Sequence, residues 1–154
     1  MDAIALLKAD HRKVKELFRK YEAAGNRAYQ KKKAIAAEIF TEISLHSRLE
    51  EELFYPAVKE QTDEDGKDLV AESLEEHHLV AILIEELKAL DPQDERFDAK
   101  LTVLMENVEH HIEEEEGELF PEAEDVLGEA IDNLGAQMKE RKEQLMASSP
   151  STKA

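Results

Sequence analysis

The chain has 154 residues, with 20 lysines and arginines against 37 aspartates and glutamates, which gives a formal charge of −17 at pH 7. A charge of this size would repel phosphate groups, so nucleic acids and anionic membranes are not expected partners. The absence of cysteine excludes disulfides, thiolate metal sites and cysteine nucleophiles. The length fits one domain with one hydrophobic core, and the scarcity of glycine, five residues in all, favours helix over sheet.

Turn-forming residues divide the chain into four long segments. The predicted segment ends are, in chain order, Gly25-Asn26, Pro56 and then EQTDEDGKD, Asp91-Pro92, and Pro121 followed by Gly128. Glycine and asparagine accept the left-handed conformation that terminates helices, and proline cannot continue a helix without losing a hydrogen bond. Between these signals the apolar residues follow the helical period, and no alternation typical of strands competes with it.

In all four segments apolar residues lie three or four positions apart with one wider gap in each, as on one face of a helix. The stripes are Ile4, Leu7, Val14, Phe18 and Tyr21; Ile35, Ile39, Ile43 and Leu53; Val70, Leu74, Ala81 and Ile84; and Phe97, Leu101, Leu104, Val108 and Leu119. Four amphipathic helices with short connections can bury such stripes together as an up-down-up-down bundle. The predicted fold class is therefore all-α, with a four-helix bundle over residues 1–127.

A weaker stripe at residues 128–146 predicts an extra C-terminal helix, and residues 147–154 are predicted to be a disordered tail. The extra helix is expected to pack across the end of the bundle or to form a dimerisation surface. The N-terminal sequence lacks the pattern of a secretory signal, and no segment approaches the ~18 apolar residues of a membrane helix. We therefore expect a soluble cytoplasmic protein that is a monomer or a weak homodimer.

Every stripe is interrupted near its middle by ionisable residues. These residues are His11, His46, Glu50, His77, His111 and Glu115. A single histidine on an apolar face is usually a hydrogen-bonded core residue, and a glutamate in an acidic run is usually solvated. Two buried carboxylates facing one core, however, would cost at least several kcal/mol without partners. Because a metal centre satisfies all six groups at once, the sequence predicts that these residues are metal ligands.

The chain also repeats one phrase, HSRLEEELFYP from His46 and HIEEEEGELFP from His111. A histidine and a glutamate four residues apart lie on the same helix face, with about 5–6 Å between their Cβ atoms. The lone histidines, His11 and His77, precede these phrases at nearly equal distances, so each half of the chain has one lone histidine and one His-x-x-x-Glu pair. Each half is therefore predicted to build half of a dinuclear site.

Two neighbouring positions compete with the predicted ligands. His110 and Glu114 have the same spacing as His111 and Glu115, but His110 lies on a mostly polar row, and alignment of the repeat favours His111. His78 competes in the same way with His77, and the sequence separates these two less clearly.

Four further residues near the motifs are interpreted as supporting groups. Tyr21 and Tyr55 are expected to be core or rim rings and not ligands. Glu51 and Glu116, each directly after a predicted ligand, are expected to surround the ligands or to lie on the surface.

Four imidazoles and two carboxylates form a nitrogen-and-oxygen site, for which iron is the natural redox metal, and the same donors are compatible with zinc or manganese.

The four segments carry, in order, DHRKVKELF, HSRLEEELFYP, EHHLVAILIEEL and ENVEHHIEEEEGELFP. This pattern resembles the hemerythrin-like family, also called the HHE cation-binding domain, over about residues 2–122. The resemblance implies a non-haem, oxo- or hydroxo-bridged pair of iron ions, held by the six residues above, that meets O2, peroxide or nitric oxide.

The chain departs from the oxygen-carrying hemerythrins at two places. Their third helix has a second histidine four residues after the first, where this chain has Ala81, and their fourth helix has an aspartate at five residues where Glu115 lies at four. These differences disfavour reversible O2 carriage. The predicted function is a di-iron protein that binds or reacts with O2, peroxide or nitric oxide, and the alternatives are iron storage or sensing and a catalase-like, peroxide-degrading enzyme.

Overall fold

The computed structural model describes residues 1–25 and 27–148, and this part of the chain is helical without strands. The α-helices are α1 (Ala3–Ala23), α2 (Tyr29–Leu49), α3 (Tyr55–Gln61), α4 (Glu64–Lys88), α5 (Glu95–Glu114), α6 (Phe120–Leu127) and α7 (Ala130–Ala147). Two π-helical turns, Glu50–Phe54 and Glu115–Leu119, join α2 to α3 and α5 to α6 without a break. Among the described residues, no helix combines the length and the apolar character needed to cross a membrane.

The helices therefore form four rods, α1, α2–α3, α4 and α5–α6, with α7 as an additional helix. The predicted all-α bundle with an extra C-terminal helix is confirmed. Aspartate side chains cap the first turns of α1, α4 and α5: Asp2, Asp63 and Asp94 each accept a hydrogen bond from a backbone N–H inside the helix. The predicted tail lies largely in residues 149–154, outside the described part.

As helix stops the two prolines are wrong, whereas the signals predicted after them, EQTDEDGKD and Gly128, are where the second and fourth segments end. The helical path continues through Pro56 to Gln61 and through Pro121 to Leu127. Each proline lies in the first turn of the helix that follows a π turn, where its missing N–H removes no essential hydrogen bond.

The predicted left-handed end of the first helix is also wrong at Gly25. Helix α1 ends at Ala23 because Ala24 is extended, and among the described residues only Gly128 has a positive φ, of 53°. Asn26 lies outside the described residues.

Two apolar clusters fill the interior, one on each side of a polar layer. The first includes Val14, Phe18, Ile39, Leu101 and Leu104, and the second includes Leu7, Leu49, Phe54, Phe120 and Met138. On α1, for example, His11 lies between Leu7 of the second cluster and Val14 of the first. The predicted interruption of each stripe is therefore a single layer across the bundle.

On α4 the buried stripe differs by one position from the prediction. Leu74 is 40% exposed and Ala81 is also exposed, whereas Ser73 and Val80 are buried. Positions three and four residues from His77 both satisfy the helical period, so the spacing does not choose between them. Packing against the neighbouring helices selects the rotation that buries Val80.

Helix α7 packs across the second apolar cluster and contacts α1 and α2. Its apolar residues Leu134, Met138 and Leu145 are buried within the chain. These contacts agree with the expected packing across the bundle end, and a role of this helix in dimerisation stays a prediction.

Replacing Gly135 by alanine is expected to weaken the docking of α7. A Cβ on Gly135 would lie 2.6 Å from backbone atoms of Met1, Asp2 and Ala3, which cannot move aside as a flexible side chain could. We expect a loss of about 1–3 kcal/mol in the free energy of unfolding, measured by urea denaturation. Gly25→Ala is the control, because its Cβ would meet nothing within 4 Å. An unchanged stability of the Gly135 variant would contradict this close approach.

Candidate metal centre

All six predicted ligand residues converge in the polar layer. Four helices supply one histidine each, His11 from α1, His46 from α2, His77 from α4 and His111 from α5, and the two π turns supply Glu50 and Glu115. All six side chains are buried, and the two carboxylates are almost completely so, at 0% and 1% exposure. Their convergence is a structural fact, and their role as ligands stays a prediction.

The donor atoms form two overlapping groups in which all donor atoms lie within 4.8 Å of one another. The first group is His11, His46, Glu50 and Glu115, and the second group is Glu50, His77 and His111. Glu50 belongs to both, since its Oε1 lies 3.2 Å from His46 Nε2 and 3.1 Å from His77 Nε2. Glu115 also faces both, with Oε1 3.0 Å from His11 Nε2 and Oε2 3.4 Å from His111 Nε2. The polar layer thus contains two groups of donor atoms that share Glu50 and that Glu115 faces from both sides.

The first group fits a metal ion on independent grounds. Among the described residues, its buried atoms His11 Nε2, His46 Nε2, Glu50 Oε2 and Glu115 Oε1 form no hydrogen bond of good geometry, although His11 Nε2 lies 3.0 Å from Glu115 Oε1 and His46 Nε2 lies 3.2 Å from Glu50 Oε1. Buried polar atoms normally have partners, because an unpaired one costs about 1–3 kcal/mol. All four are donors that a cation would satisfy, so the residues present fit the ion that the pattern predicts.

Tyr55 reaches the second group, which the sequence interpretation did not predict. Its Oη lies 3.2 Å from His77 Nε2, 3.4 Å from His111 Nε2, 3.1 Å from Glu50 Oε1 and 2.6 Å from Glu115 Oε2. The ring is buried in the core, as expected, but the hydroxyl faces the donors and is itself a possible oxygen ligand. Ala81, the position at which the oxygen carriers have another histidine, is exposed and does not face the centre.

The first π turn explains how Tyr55 reaches this position. The Tyr55 backbone N–H bonds to the carbonyl of Glu50, five residues earlier, instead of four. This wider turn brings residue 55 back to the face that carries Glu50, whereas the α-helical period would rotate it away. The same register leaves Leu53, a predicted core residue, only partly buried. The available sequence signal was the aromatic residue before proline in both repeats.

Replacing Tyr55 by phenylalanine should lower the binding affinity for one of two metal ions by roughly tenfold or more, while the buried ring keeps the fold intact. Competition between the protein and a colorimetric chelator for Co²⁺ would measure both affinities. Tyr21→Phe is the matched control, because the Tyr21 hydroxyl donates to Asp98 and not to a predicted ligand. Two affinities unchanged from the wild type would show that the phenol oxygen does not contribute.

Each predicted ligand histidine has a carboxylate at its outer nitrogen. The Nδ1 contacts are His11 to Glu116 at 2.6 Å, His46 to Asp10 at 3.0 Å, His77 to Glu51 at 2.7 Å and His111 to Glu76 at 2.6 Å. A carboxylate at Nδ1 favours the tautomer that has its proton there, which directs the Nε2 lone pair inward. Glu51 and Glu116 therefore lie beside predicted ligand histidines, which agrees with one of their two predicted roles.

Asp10 and Glu76 were not predicted for this role. Each directly precedes a lone histidine, in the flanking pairs Asp10-His11 and Glu76-His77, and this shared acidic residue was the available signal. The two halves exchange partners: Glu51 of the first half contacts His77, and Glu116 of the second half contacts His11.

The charged groups shift each other's protonation strongly. Burial alone would lower the pKa of His46, but Glu50 and Asp10 raise it well above its ordinary value of 6.5. Burial likewise opposes a rise at His111, where Glu115 and other carboxylates raise the pKa to about 9. Burial would raise the pKa of Glu50, yet His46 and His77 hold it well below its ordinary value of 4.5. These raised pKa values favour protonated His46 and His111 in the metal-free protein, and a cation bound to the same imidazoles would displace those protons.

The competing histidines lie elsewhere. His78 is exposed, while His77 is buried at the centre. The His110 side chain is 65% exposed and pairs with Glu114 at 2.6 Å on the outside of α5. The alignment of the repeat therefore selected the residues that face inward.

A small cavity of about 30 Å³ adjoins the histidines. Its apolar lining is Val14, Ile43, Val80, Val108 and Ile112. A space of this size holds about one water-sized molecule. Only a very small ligand could occupy it without movement of the surrounding side chains.

The fold and the site together define a helical bundle with a buried His/Glu centre suited to cations. The family described as hemerythrin HHE cation binding domain matches residues 2–123, and the chain belongs to that family. A crystal structure of a hemerythrin HHE cation binding domain-containing protein from Mycobacterium kansasii superposes with a TM-score of 0.82 at 27% identity, covering 96% of this chain and 89% of that one.

Two curated relatives are longer than this chain. An uncharacterized hemerythrin-like protein from Schizosaccharomyces pombe is 28% identical over 120 residues, which are 78% of this chain and 58% of that protein. A DNA nickase from a Nostoc species is 29% identical over 116 residues, which are 75% of this chain and 31% of that protein. The match therefore spans nearly three fifths of the first relative and about a third of the second.

Proposed function

We propose that this protein is a non-haem di-iron protein that binds or reacts with O2, peroxide or nitric oxide. The observation that supports this most directly is the sharing of Glu50 between two donor groups, with Glu115 also facing both. One ion could use only one of these groups, whereas two ions would use all four imidazoles. Nitrogen and carboxylate donors without sulfur are compatible with iron, and the family is one of cation-binding domains.

The chain's own residues would perform three tasks. The four outer carboxylates hold the Nδ1 protons of the histidines, Glu50 and Glu115 bring the two positions together, and the apolar cavity admits only a small molecule. The iron pair, when bound, would supply the electrons exchanged with such a molecule. Because the donors are buried and the cavity is small, rapid exchange of iron as a stored cargo fits this arrangement less well.

One observation favours a second candidate, a peroxide-degrading enzyme. Tyr55 brings a hydroxyl group to within 2.6 Å of Glu115 at the centre, which provides a proton that could be donated to a leaving oxygen. Catalytic evolution of O2 from hydrogen peroxide, abolished in His111→Ala, would support turnover over simple binding.

DNA cleavage is not part of the proposal. The match to the nickase covers 31% of that protein, and this chain's charge of −17 would repel the phosphate backbone.

Iron analysis with optical spectroscopy tests the proposed function. Protein produced with iron should contain two iron ions per chain and absorb in the near ultraviolet as bridged ferric pairs do, and peroxide or nitric oxide should change that spectrum. Iron content near zero, without this absorption under the same conditions, would refute the di-iron proposal.

A further inference from the structure

Helix α7 places one of its own lysines, Lys142, beside one side of the candidate metal centre. It packs on α1 and α2, the helices that supply His11 and His46 to the first donor group. Lys142 Nζ donates a hydrogen bond of 2.7 Å to Asp10 Oδ1, and Asp10 Oδ2 lies 3.0 Å from His46 Nδ1. A single buried carboxylate thus separates this lysine from a predicted ligand.

In the described part of the chain, the other half of the candidate centre has no equivalent cation. Glu76 precedes His77 as Asp10 precedes His11, and it contacts His111 Nδ1 as Asp10 contacts His46 Nδ1. Within residues 1–25 and 27–148, the only ion-pair partner of Glu76 is that histidine. The side chain of Glu76 is 27% exposed, whereas that of Asp10 is 6% exposed.

The two donor groups also differ in the aromatic residue that faces their histidines. Tyr55 Oη approaches both histidines of the second group, His77 and His111. The residue that corresponds to it in the repeat is Phe120, which has no oxygen and stacks on His11 with ring centroids 5.7 Å apart. Because Glu50 and Glu115 each face histidines of both groups, the features that distinguish the groups are the Lys142 cation near the first and the Tyr55 oxygen at the second.

We propose that Lys142 is a positioning residue that makes the two ion positions unequal, so that the position of the first donor group is reduced first. This inference rests on the proposed di-iron function. Lys142 holds Asp10 in one orientation and offsets its negative charge. Asp10 therefore accepts a weaker hydrogen bond from His46 Nδ1 than Glu76 accepts from His111 Nδ1. His46 is consequently the weaker donor, since an outer carboxylate increases the basicity of a ligating imidazole.

The two differences between the donor groups both favour reduction of the ion at the first group before the ion at the second. A weaker imidazole donor and a nearby positive charge favour the lower ion charge at the first group, and an oxygen donor favours the higher charge at the second. The step concerned is Fe³⁺ + e⁻ → Fe²⁺, with the electron coming from an external one-electron reductant. The reduction potential and the site of the first electron are therefore the quantities to measure.

The test is spectroelectrochemical titration of the iron-loaded protein. Lys142→Met should shift the equilibrium of the first reduction about tenfold toward the oxidised centre, which is 59 mV for a one-electron couple. Lys142→Arg keeps the charge and should restore most of the wild-type potential. Asp10→Asn removes the opposite charge and should shift the potential upward. Mössbauer spectra of the half-reduced protein should show a less localised electron in Lys142→Met than in the wild type.

Two control variants separate this effect from the docking of α7. Lys139→Met changes the net charge equally from an exposed position on the same helix. Arg141→Met removes a different contact that holds α7 to the bundle, the hydrogen bond of 2.8 Å from Arg141 to Glu52. Neither residue of this contact is a predicted ligand. If either control shifted the potential as much as Lys142→Met, or if Lys142→Met left it unchanged while both ions were bound, the inference would be overturned. Wild-type protein without iron would instead refute the proposed function, and this inference with it.

Discussion

Glu50→Ala is expected to abolish binding of the ion pair, reducing metal content from two ions per chain to less than one. The reason is geometric, since Glu50 Oε1 lies within 3.2 Å of one imidazole nitrogen from each half of the chain. Its removal takes a shared oxygen donor from both positions and leaves His46 and His77 without their common partner. His46→Ala should also prevent loading of the pair, because it removes one of the two imidazoles of the first group.

The same helix that supplies His111 provides matched controls for this experiment. His110 and Glu114 repeat the His-x-x-x-Glu spacing but lie on the outside of α5. His110→Ala and Glu114→Ala should therefore leave metal content nearly unchanged in elemental analysis, with helicity checked by circular dichroism. If these variants lost the ions and the Glu50 variant kept them, the assignment of the donor residues would be reversed.

Removing metal is expected to make the stability of the protein strongly dependent on pH above neutrality. The histidines whose pKa is raised on folding stabilise the metal-free protein fully below their ordinary pKa of 6.5. This stabilisation is lost as pH rises through the raised values, about 9 for His111. For His111 alone the loss is on the order of 3 kcal/mol, because each pKa unit corresponds to about 1.4 kcal/mol.

Glu50 sets the lower limit of the pH range in which the metal-free protein is most stable. Its pKa is held below 4.5, so its contribution is present above that pH and is lost as pH falls through the lowered value. The metal-free protein should therefore be most stable between about pH 4.5 and 6.5, the two ordinary values.

The metal-loaded protein should not share this loss of stability above pH 6.5, because its imidazoles bind cations and have no extra protons to release on unfolding. Cations replace the protons on the imidazoles, so their affinity increases as pH rises. Metal at about 1,000 times its dissociation constant adds roughly 4 kcal/mol, which for a chain of this size is a rise in Tm of roughly 10 °C. Thermal unfolding with and without chelator, from pH 5 to 9, measures both curves. Parallel curves would contradict a metal site at these histidines.

The ligand candidates could be predicted from sequence because their signal is local. A histidine or glutamate on an apolar stripe is recognised from residues three and four positions away, and this spacing does not depend on the rest of the fold. The repeat then distinguished His111 from His110, two residues that composition cannot separate. The polar layer that these residues form between two apolar clusters follows directly from their common position near the middle of each stripe.

Other features depended on departures from the regular helix. Tyr55 reaches the centre only because a π turn adds a residue between Glu50 and itself, and the α-helical period places that ring elsewhere. The same turns allow Pro56 and Pro121 to lie inside continuous helices. Stripe spacing also left two rotations of α4 open, and packing chose the one that exposes Leu74.

The sequence by itself determined the helical class of this protein, the order of its four rods and the six ionisable residues that interrupt their apolar faces. Only the tertiary structure decided which carboxylate meets which histidine, and that α7 brings Lys142 to Asp10, 132 positions away. The physical reason is that periodicity specifies a face of one helix, whereas contacts between helices depend on their rotation and crossing, which the whole core sets together.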